Sequence, residues 1–216
     1  MEVSQLGDLI RSRSSIRRWQ DKEVPEDLLM RAVDLATWAP NAANQQNWHF
    51  YVIVRRGTIK AIADVVQASA DLVASWPKAK DLGYVGRWQR NASFFRSAPA
   101  AIAVAATQYQ SLVDHILSGL EKTDPQAAQM RQWRNTGNSR IQSVASAISH
   151  LLLILHCMGL GAVWMTGPLQ AKGEIEKILK MPPGQDLVAF IPVGFPAESP
   201  TQRERRPVGD VCTILR

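Results

Sequence analysis

Cysteine is scarce in this 216-residue chain: Cys157 stands in an apolar run and Cys212 near the C-terminus. Neither sits in a CxxC pair or a His/Cys cluster, so a disulfide framework or a structural metal site has nothing to build on. His49, His115, His150 and His156 are scattered singly, with no carboxylate at ligand spacing, so no metal is expected and each histidine reads as structural. The glycine signatures are missing too. There is no P-loop, GxSxG or GxGxxG, and "GLGAVW" at 159–164 stops short of a dinucleotide fingerprint. A Pro/Ser/Gly-rich linker, an internal repeat and a low-complexity tract are likewise absent, so one domain is expected over residues 1–216. The opening "MEVSQLGDLIRSR" lacks the basic region and apolar core of a secretory signal. The most apolar segment, "LLLILHCMGLGAVWM", is interrupted by His156 and two glycines and falls short of the roughly 20 apolar residues that span a bilayer. A cytoplasmic protein with no membrane partner is expected.

What is present is a soluble globular composition, 46% hydrophobic and 20% charged. The 25 Lys+Arg exceed the 19 Asp+Glu by six charges, which suits an acidic ligand. The excess gathers in two clusters, "RSRSSIRR" at 11–18 and "RERR" at 203–206. Two compact clusters fit a local anion site better than the continuous stripe that tracks a nucleic-acid backbone. Ser14 and Ser15 strengthen this, because a phosphate takes hydroxyl and backbone donors as well as guanidinium forks. The bland alternatives are a solvated face for the first cluster and a basic terminus for the second.

Leu6, Leu9 and Ile10 predict a short helix ending where the Arg/Ser stretch begins, which leaves that stretch on a loop. Pro25, at a first helical position, opens a second helix with an apolar face through Ala36. "HFYVIV" at 49–54 predicts a strand and leads to a helix from about Ile59 to Val73; "PAAIAVAAT" at 99–107 and "LVAFIPVGF" at 187–195 predict two more strands. Residues 76–96 mix Pro, Gly and aromatics without period, a loop or lid candidate, and 107–137 are weakly helical and polar, a second one. From Arg140 to Met158 the pattern predicts a helix apolar all round in its second half, hence buried on every side or at a subunit interface. "AVWMTG" reads as a strand and turn, followed by a helix over Ala171 to Leu179. Without strict βαβ alternation the class is α+β, with helices on both faces of a small sheet.

"PNAANQQNWHF" at 40–50 carries five amide side chains, each of which donates and accepts without charge. Such a loop can read the pyrimidine edge of a flavin or a nucleobase, or it is a turn rich in Asn because Asn tolerates left-handed backbone. "VWMTGP" at 163–168 offers backbone amides that glycine lets approach a ligand, or an ordinary turn.

In this order, "RSRSSIRRW", "APNAANQQNWHF", "GLGAVWMTGP" and "VGFPAESPTQRERRP" resemble the nitroreductase family of FMN-dependent oxidoreductases. The resemblance implies a nitroreductase-like α+β fold, a small mixed sheet flanked by helices. It also implies an intertwined homodimer with FMN at the interface and residues 196–216 reaching onto the partner. By motif, Arg13, Ser14, Ser15 and Arg17 match the N-terminal flavin segment, with Arg13 and Ser15 on the phosphate and Arg17 near the pyrimidine O2. Arg203 and Arg205 match the positions that close the phosphate clamp. Asn41, Ala42, Asn44 and Gln46 fall on the ribityl and ring loop, and Met165, Thr166 and Gly167 fall where amides approach flavin N5 and O4. The implied activity is hydride transfer from NAD(P)H to a nitroaromatic, quinone or related conjugated acceptor. FMN carries the chemistry and no catalytic side chain is needed. The alternatives are a flavin-binding storage or sensing protein, or a specialised branch that dehalogenates or fragments flavin.

Overall fold

The computed structural model describes residues 2–216. Helix α1 (Val3–Ser12) runs two residues into the basic stretch, and the chain is extended from Arg13 onward. Helix α2 (Glu26–Ala36) follows, with Pro25 as its cap rather than its first turn. Strand β1 (Trp48–Ile53) feeds α3 (Arg56–Ser75), a helix of 20 residues. Residues 76–96, expected as an aperiodic loop, fold into α4 (Pro77–Lys80), α5 (Val85–Arg90) and a 3-10 turn. Next come β2 (Ala100–Thr107), α6 (Leu112–Leu120) and α7 (Pro125–Gly137). The last two carry side-chain caps from Ser111 and Asp124, so the weakly periodic 107–137 segment is held as helix by its termini. Helix α8 (Ser139–Cys157), β3 (Gly161–Ala162), α9 (Lys172–Ile178) and β4 (Gln185–Gly194) complete the frame.

The sheet has the order β1-β2-β4-β3 and every pairing is antiparallel, so the expected mixed sheet is not found. The cause is the route from β1 to β2. Helix α3 carries the chain away and residues 76–99 bring it back, so β2 starts beside the end of β1, with Ala101 opposite Ile53. The strand expected over "AVWMTG" shrinks to Gly161–Ala162 and a single bridge between Met165 and Phe190.

Strand β2 is the inner layer. Ala100, Ile102, Val104 and Ala106 face a core shared with α2 and α8, while Ala101 and Ala103 face a second core shared with α3 and α9. A strand buried on both faces reads as a continuous apolar run, and its alanines let helices approach closely on both sides. Helix α8 buries Ser143, Val144, Ala147, Ile148, Leu151 and Leu155, but Leu152, Leu153 and Ile154 stay partly exposed. It is therefore not enclosed within one chain. With α7 it forms the one described helical stretch long and apolar enough by composition to cross a membrane, and its inner face packs as core.

Two glycines let the N-terminal segment lie on the sheet. A Cβ on Gly161 would sit 2.7 Å from Ile16, and one on Gly194 would sit 2.6 Å from Pro99 and 2.8 Å from Trp19. Gly194→Ala is expected to destabilise the protein by roughly 1–3 kcal/mol through this overpacking, read as a lower urea midpoint at unchanged slope.

Candidate functional site

Residues 13–20 dock along the β3–β4 edge. The Ile16 amide donates to the Ala162 carbonyl (3.1 Å), Gln20 to Phe195 (2.9 Å), and Trp19 Nε1 to the Gly161 carbonyl (2.9 Å). Glu198 clasps the segment. Its Oε1 accepts from the amides of Arg17 (2.5 Å) and Arg18 (3.0 Å), and its Oε2 pairs with Arg18 Nε at 3.0 Å. The Arg17 amide, and then the Arg18 guanidinium, hold the Glu198 carboxyl below the usual carboxylate range against the opposing effect of burial. Arg18 is thereby neutralised. Arg13 and Arg17 have no carboxylate partner among the described residues, and Arg13, Ser14 and Ser15 are half-buried. Arg17 Nη1 makes one long bond, 3.4 Å, to the Ser15 carbonyl.

The second basic cluster reaches the same place. Gln202 donates to the Arg11 carbonyl at the end of α1, which sets Arg203 one residue from that contact. Arg203 and Arg205 are exposed and unpaired with any carboxylate among the described residues; Arg205 Nη1 bonds only main-chain carbonyls, that of Arg203 at 3.2 Å. Beside Arg13, Ser12 Oγ lies 2.9 Å from His156 Nε2, and burial, then the charge of Arg13, lowers the His156 pKa.

A cavity of about 430 Å³ opens on the sheet face against which Ile16 and Trp19 pack. Met165, Gly167 and Pro168 form one wall, and Tyr84, Arg87, Trp88 and Asn91 the other. Phe94, on its floor, stacks on Trp19 at 6.3 Å and 10°, which joins the cavity to the Arg/Ser segment. Met165 is fixed by two 3.0 Å main-chain bonds to Phe190. The Thr166 and Gly167 amides have no hydrogen-bond partner among the described residues, and a Cβ on Gly167 would meet nothing within 4 Å. Unpaired amides beside open space are a ready donor pair for a ligand. Tyr84, Arg87, Trp88 and Asn91 were not anticipated. Their i, i+3, i+4, i+7 spacing is the signal that could have revealed them, and it is what puts all four on one face of the α5 region.

The amide loop is elsewhere. Its Ala42–Asn44 turn rests on the first half of α8, where the Ala42 amide donates to Ser143 Oγ (3.1 Å) and Asn47 Nδ2 to the Arg140 carbonyl (3.1 Å). The Asn41 side chain accepts from the Gln46 amide at 2.8 Å, and Asn44 Oδ1 accepts from Gln46 Nε2 at 3.4 Å. Ala43, Asn44 and Gln46 all have positive φ, near 50°. The amides thus hold a strained loop rather than pointing into a cavity with Met165. Helix α8 lies on the opposite sheet face from Phe190 and the cavity wall. Along α8, the thirteen positions from Ser143 to His156 span about 20 Å. One chain therefore links the Arg13–Arg18 segment to the Met165 and Gly167 cavity through Trp19 and Phe94, sets Arg203 next to the residue that reaches Arg11, and leaves Asn41, Ala42, Asn44 and Gln46 on α8.

A cavity of about 600 Å³ lies between α6, α7 and the start of α8. Its charges are already satisfied. Asp114 accepts from Arg134 Nε at 2.6 Å, and that bond holds its carboxyl far below the usual range; Arg140 Nη2 meets Asp186 at 2.6 Å.

The nitroreductase family model matches residues 10–195. The chain belongs to the nitroreductase family. Within this family it is 30% identical over 200 residues to a "Putative NADH dehydrogenase/NAD(P)H nitroreductase" of Methanothermobacter thermautotrophicus, covering 91% of this chain and 80% of that one. A crystal structure of a BluB-like flavoprotein from Clostridium difficile 630 superposes over all of both chains, with a TM-score of 0.85 and 25% identity. Iodotyrosine deiodinase, solved with FMN and 3-iodo-L-tyrosine, shares the fold at a TM-score of 0.71 and 24% identity, covering 98% of this chain and 97% of that one. This protein is thus a nitroreductase-family oxidoreductase with the fold of flavoproteins.

The Glu198 clasp is testable. A carboxyl whose folded pKa is depressed contributes its full stability above its ordinary value and loses it as pH falls toward the folded one. Main-chain amides of Arg17 and Arg18 are expected to exchange several-fold faster in Glu198→Ala at pH 7. In the unchanged chain, after correction for intrinsic rate, their protection is expected to hold from pH 7 to 5 and to fade below about pH 4.

Proposed function

We propose that this nitroreductase-family chain is an FMN-dependent oxidoreductase that takes a hydride from NAD(P)H and delivers it to a nitroaromatic, quinone or related conjugated acceptor. The observation that carries the reading is a half-buried, uncompensated Arg13 on the same segment whose Trp19 stacks on Phe94 in the cavity beside the open Thr166–Gly167 amides. The donor set fits FMN in both chemistry and order. The Arg13, Ser14 and Ser15 segment offers guanidinium and hydroxyl donors to a phosphate, and Arg203 and Arg205 close on it from the C-terminal side. The Thr166 and Gly167 amides would donate to the electron-rich edge of the flavin. Arg17, left free because Glu198 takes only its main-chain amide, supplies positive charge beside the pyrimidine side. FMN bound there would supply reversible two-electron hydride chemistry, so no side-chain acid or base is required.

The working unit in this reading is a homodimer. The Asn41–Gln46 loop stands about 20 Å along α8 from Arg13's end and across the sheet from the cavity, so only a second copy can bring that loop to the ring. The partly exposed Leu152, Leu153 and Ile154 on α8, and the exposed Val208, Val211, Ile214 and Leu215 of the tail, supply apolar surface for such a partner.

Purified protein loaded with FMN is expected to be yellow and to bleach anaerobically with NADH or NADPH, then to recover colour with a quinone. Bleaching by neither nicotinamide would make it a flavin-binding protein without turnover, and failure to take up FMN at all would end the proposal. Arg13→Ala and Arg205→Ala are each expected to weaken FMN retention about tenfold or more, measured by flavin fluorescence. Mixing Arg13→Ala chains with chains carrying Asn41→Ala and Asn44→Ala should restore one good site per mixed dimer. No recovery on mixing would place both elements in the same chain's site.

A further inference from the structure

Beyond the cavity at Met165 lies a separate apolar groove of about 310 Å³ that the proposed chemistry does not use. Trp76, Ala79 and Leu82, from α4 and its flanks, close one side, and Val73 and Val85 close the ends of α3 and α5. Tyr84 and Trp88 line this groove and the cavity alike, so the two adjoin across these aromatic side chains. Nothing else among the described residues covers it: Trp76 is 53% exposed, Leu82 46% and Tyr84 67%. Its single charged lining group, Lys78, has no carboxylate partner among the described residues, and neither has Arg87 at the cavity end. An apolar trough of this size, walled by indoles, favours a flat or aliphatic group, and a lone ammonium at its rim favours an anion at that group's far end.

We infer that the groove of Trp76, Leu82, Tyr84 and Trp88 is a specificity subsite for acceptors that carry an apolar arm ending in an anion. The reducible ring would lie over the flavin ring that the Met165–Gly167 wall holds, the arm passes over Trp88 into the groove, and Lys78 meets its terminal carboxylate or sulfonate. This rests on the reading of the cavity as the flavin ring site.

The test uses the FMN-loaded protein and three acceptors: 1,4-naphthoquinone, the same ring with a phenylalkyl arm ending in carboxylate, and that arm ending in an amine. The carboxylate-armed quinone is expected to show a KM about tenfold below that of the bare ring at similar kcat. Trp76→Ala should abolish that advantage while leaving the bare ring's KM and kcat unchanged. Lys78→Glu, a surface change that spares the fold, should raise the KM for the carboxylate arm and lower it for the amine arm. Equal KM values for bare and armed rings in the unchanged protein, or an equal rise for both in Trp76→Ala, would overturn the inference. A separate titration keeps it independent of turnover: 5-phenylpentanoate should quench tryptophan fluorescence saturably in the unchanged protein and not in Trp76→Ala. If FMN uptake fails but this titration succeeds, the flavin reading falls and the groove stands. If 5-phenylpentanoate does not bind and Trp76→Ala weakens the dimer, a second copy of the chain occupies the groove and the inference is wrong.

Discussion

The burial of β2 on both faces is the constraint from which the rest follows. A strand made almost wholly of alanine, isoleucine and valine has no solvated side, so helices must cover it front and back. Helices α2 and α8 take one face and α3 and α9 the other. Each functional segment then inherits a face from the helix it packs on. The Asn-rich loop rests on the first half of α8, and the Met165 cavity opens toward α3 and α5. Separation of the two across the sheet is a consequence of how the core is filled, and it is what makes a second copy necessary to the proposed site.

A second constraint is the closeness of the Arg/Ser segment to the sheet. Gly161 and Gly194 each occupy a place where a methyl group would collide with Ile16 or Trp19. This lets residues 13–20 lie flat on the β3–β4 edge, and Glu198 then ties down Arg17 and Arg18 through their main chain. Positive charge is left over at Arg13 and at the Arg17 side chain because the one nearby carboxylate is spent on amides and on Arg18. The proposed anion site rests on an arrangement that satisfies its neighbours and leaves selected cations unsatisfied. The 600 Å³ cavity is the contrast: richer in charge, it offers a ligand less because its arginines are already paired.

Much of this was legible in the residues. Apolar runs marked β1, β2 and β4 to within a residue or two, since two-sided burial writes itself as uninterrupted aliphatic sequence. Period marked α2, α3 and α8, and four short motifs in order pointed to the family that the family model matches. The 76–96 segment escaped because α4 and α5 are four and six residues long, too short for a period to stand out against Pro and Gly. The face formed by Tyr84, Arg87, Trp88 and Asn91 was written at helical spacing all the same.

The sequence by itself determined the element order, the apolar strands, the two basic clusters and the family, because each rests on neighbours along the chain or on a recurring order of motifs. Only the tertiary structure decided which of those segments meet. Gln202 reaching Arg11 joins two clusters nearly two hundred residues apart, and no local pattern encodes that contact. The sheet's two faces keep the amide loop from the cavity for the same reason: spatial neighbourhood is set by which helix covers which side of β2, a choice made by packing the whole core at once.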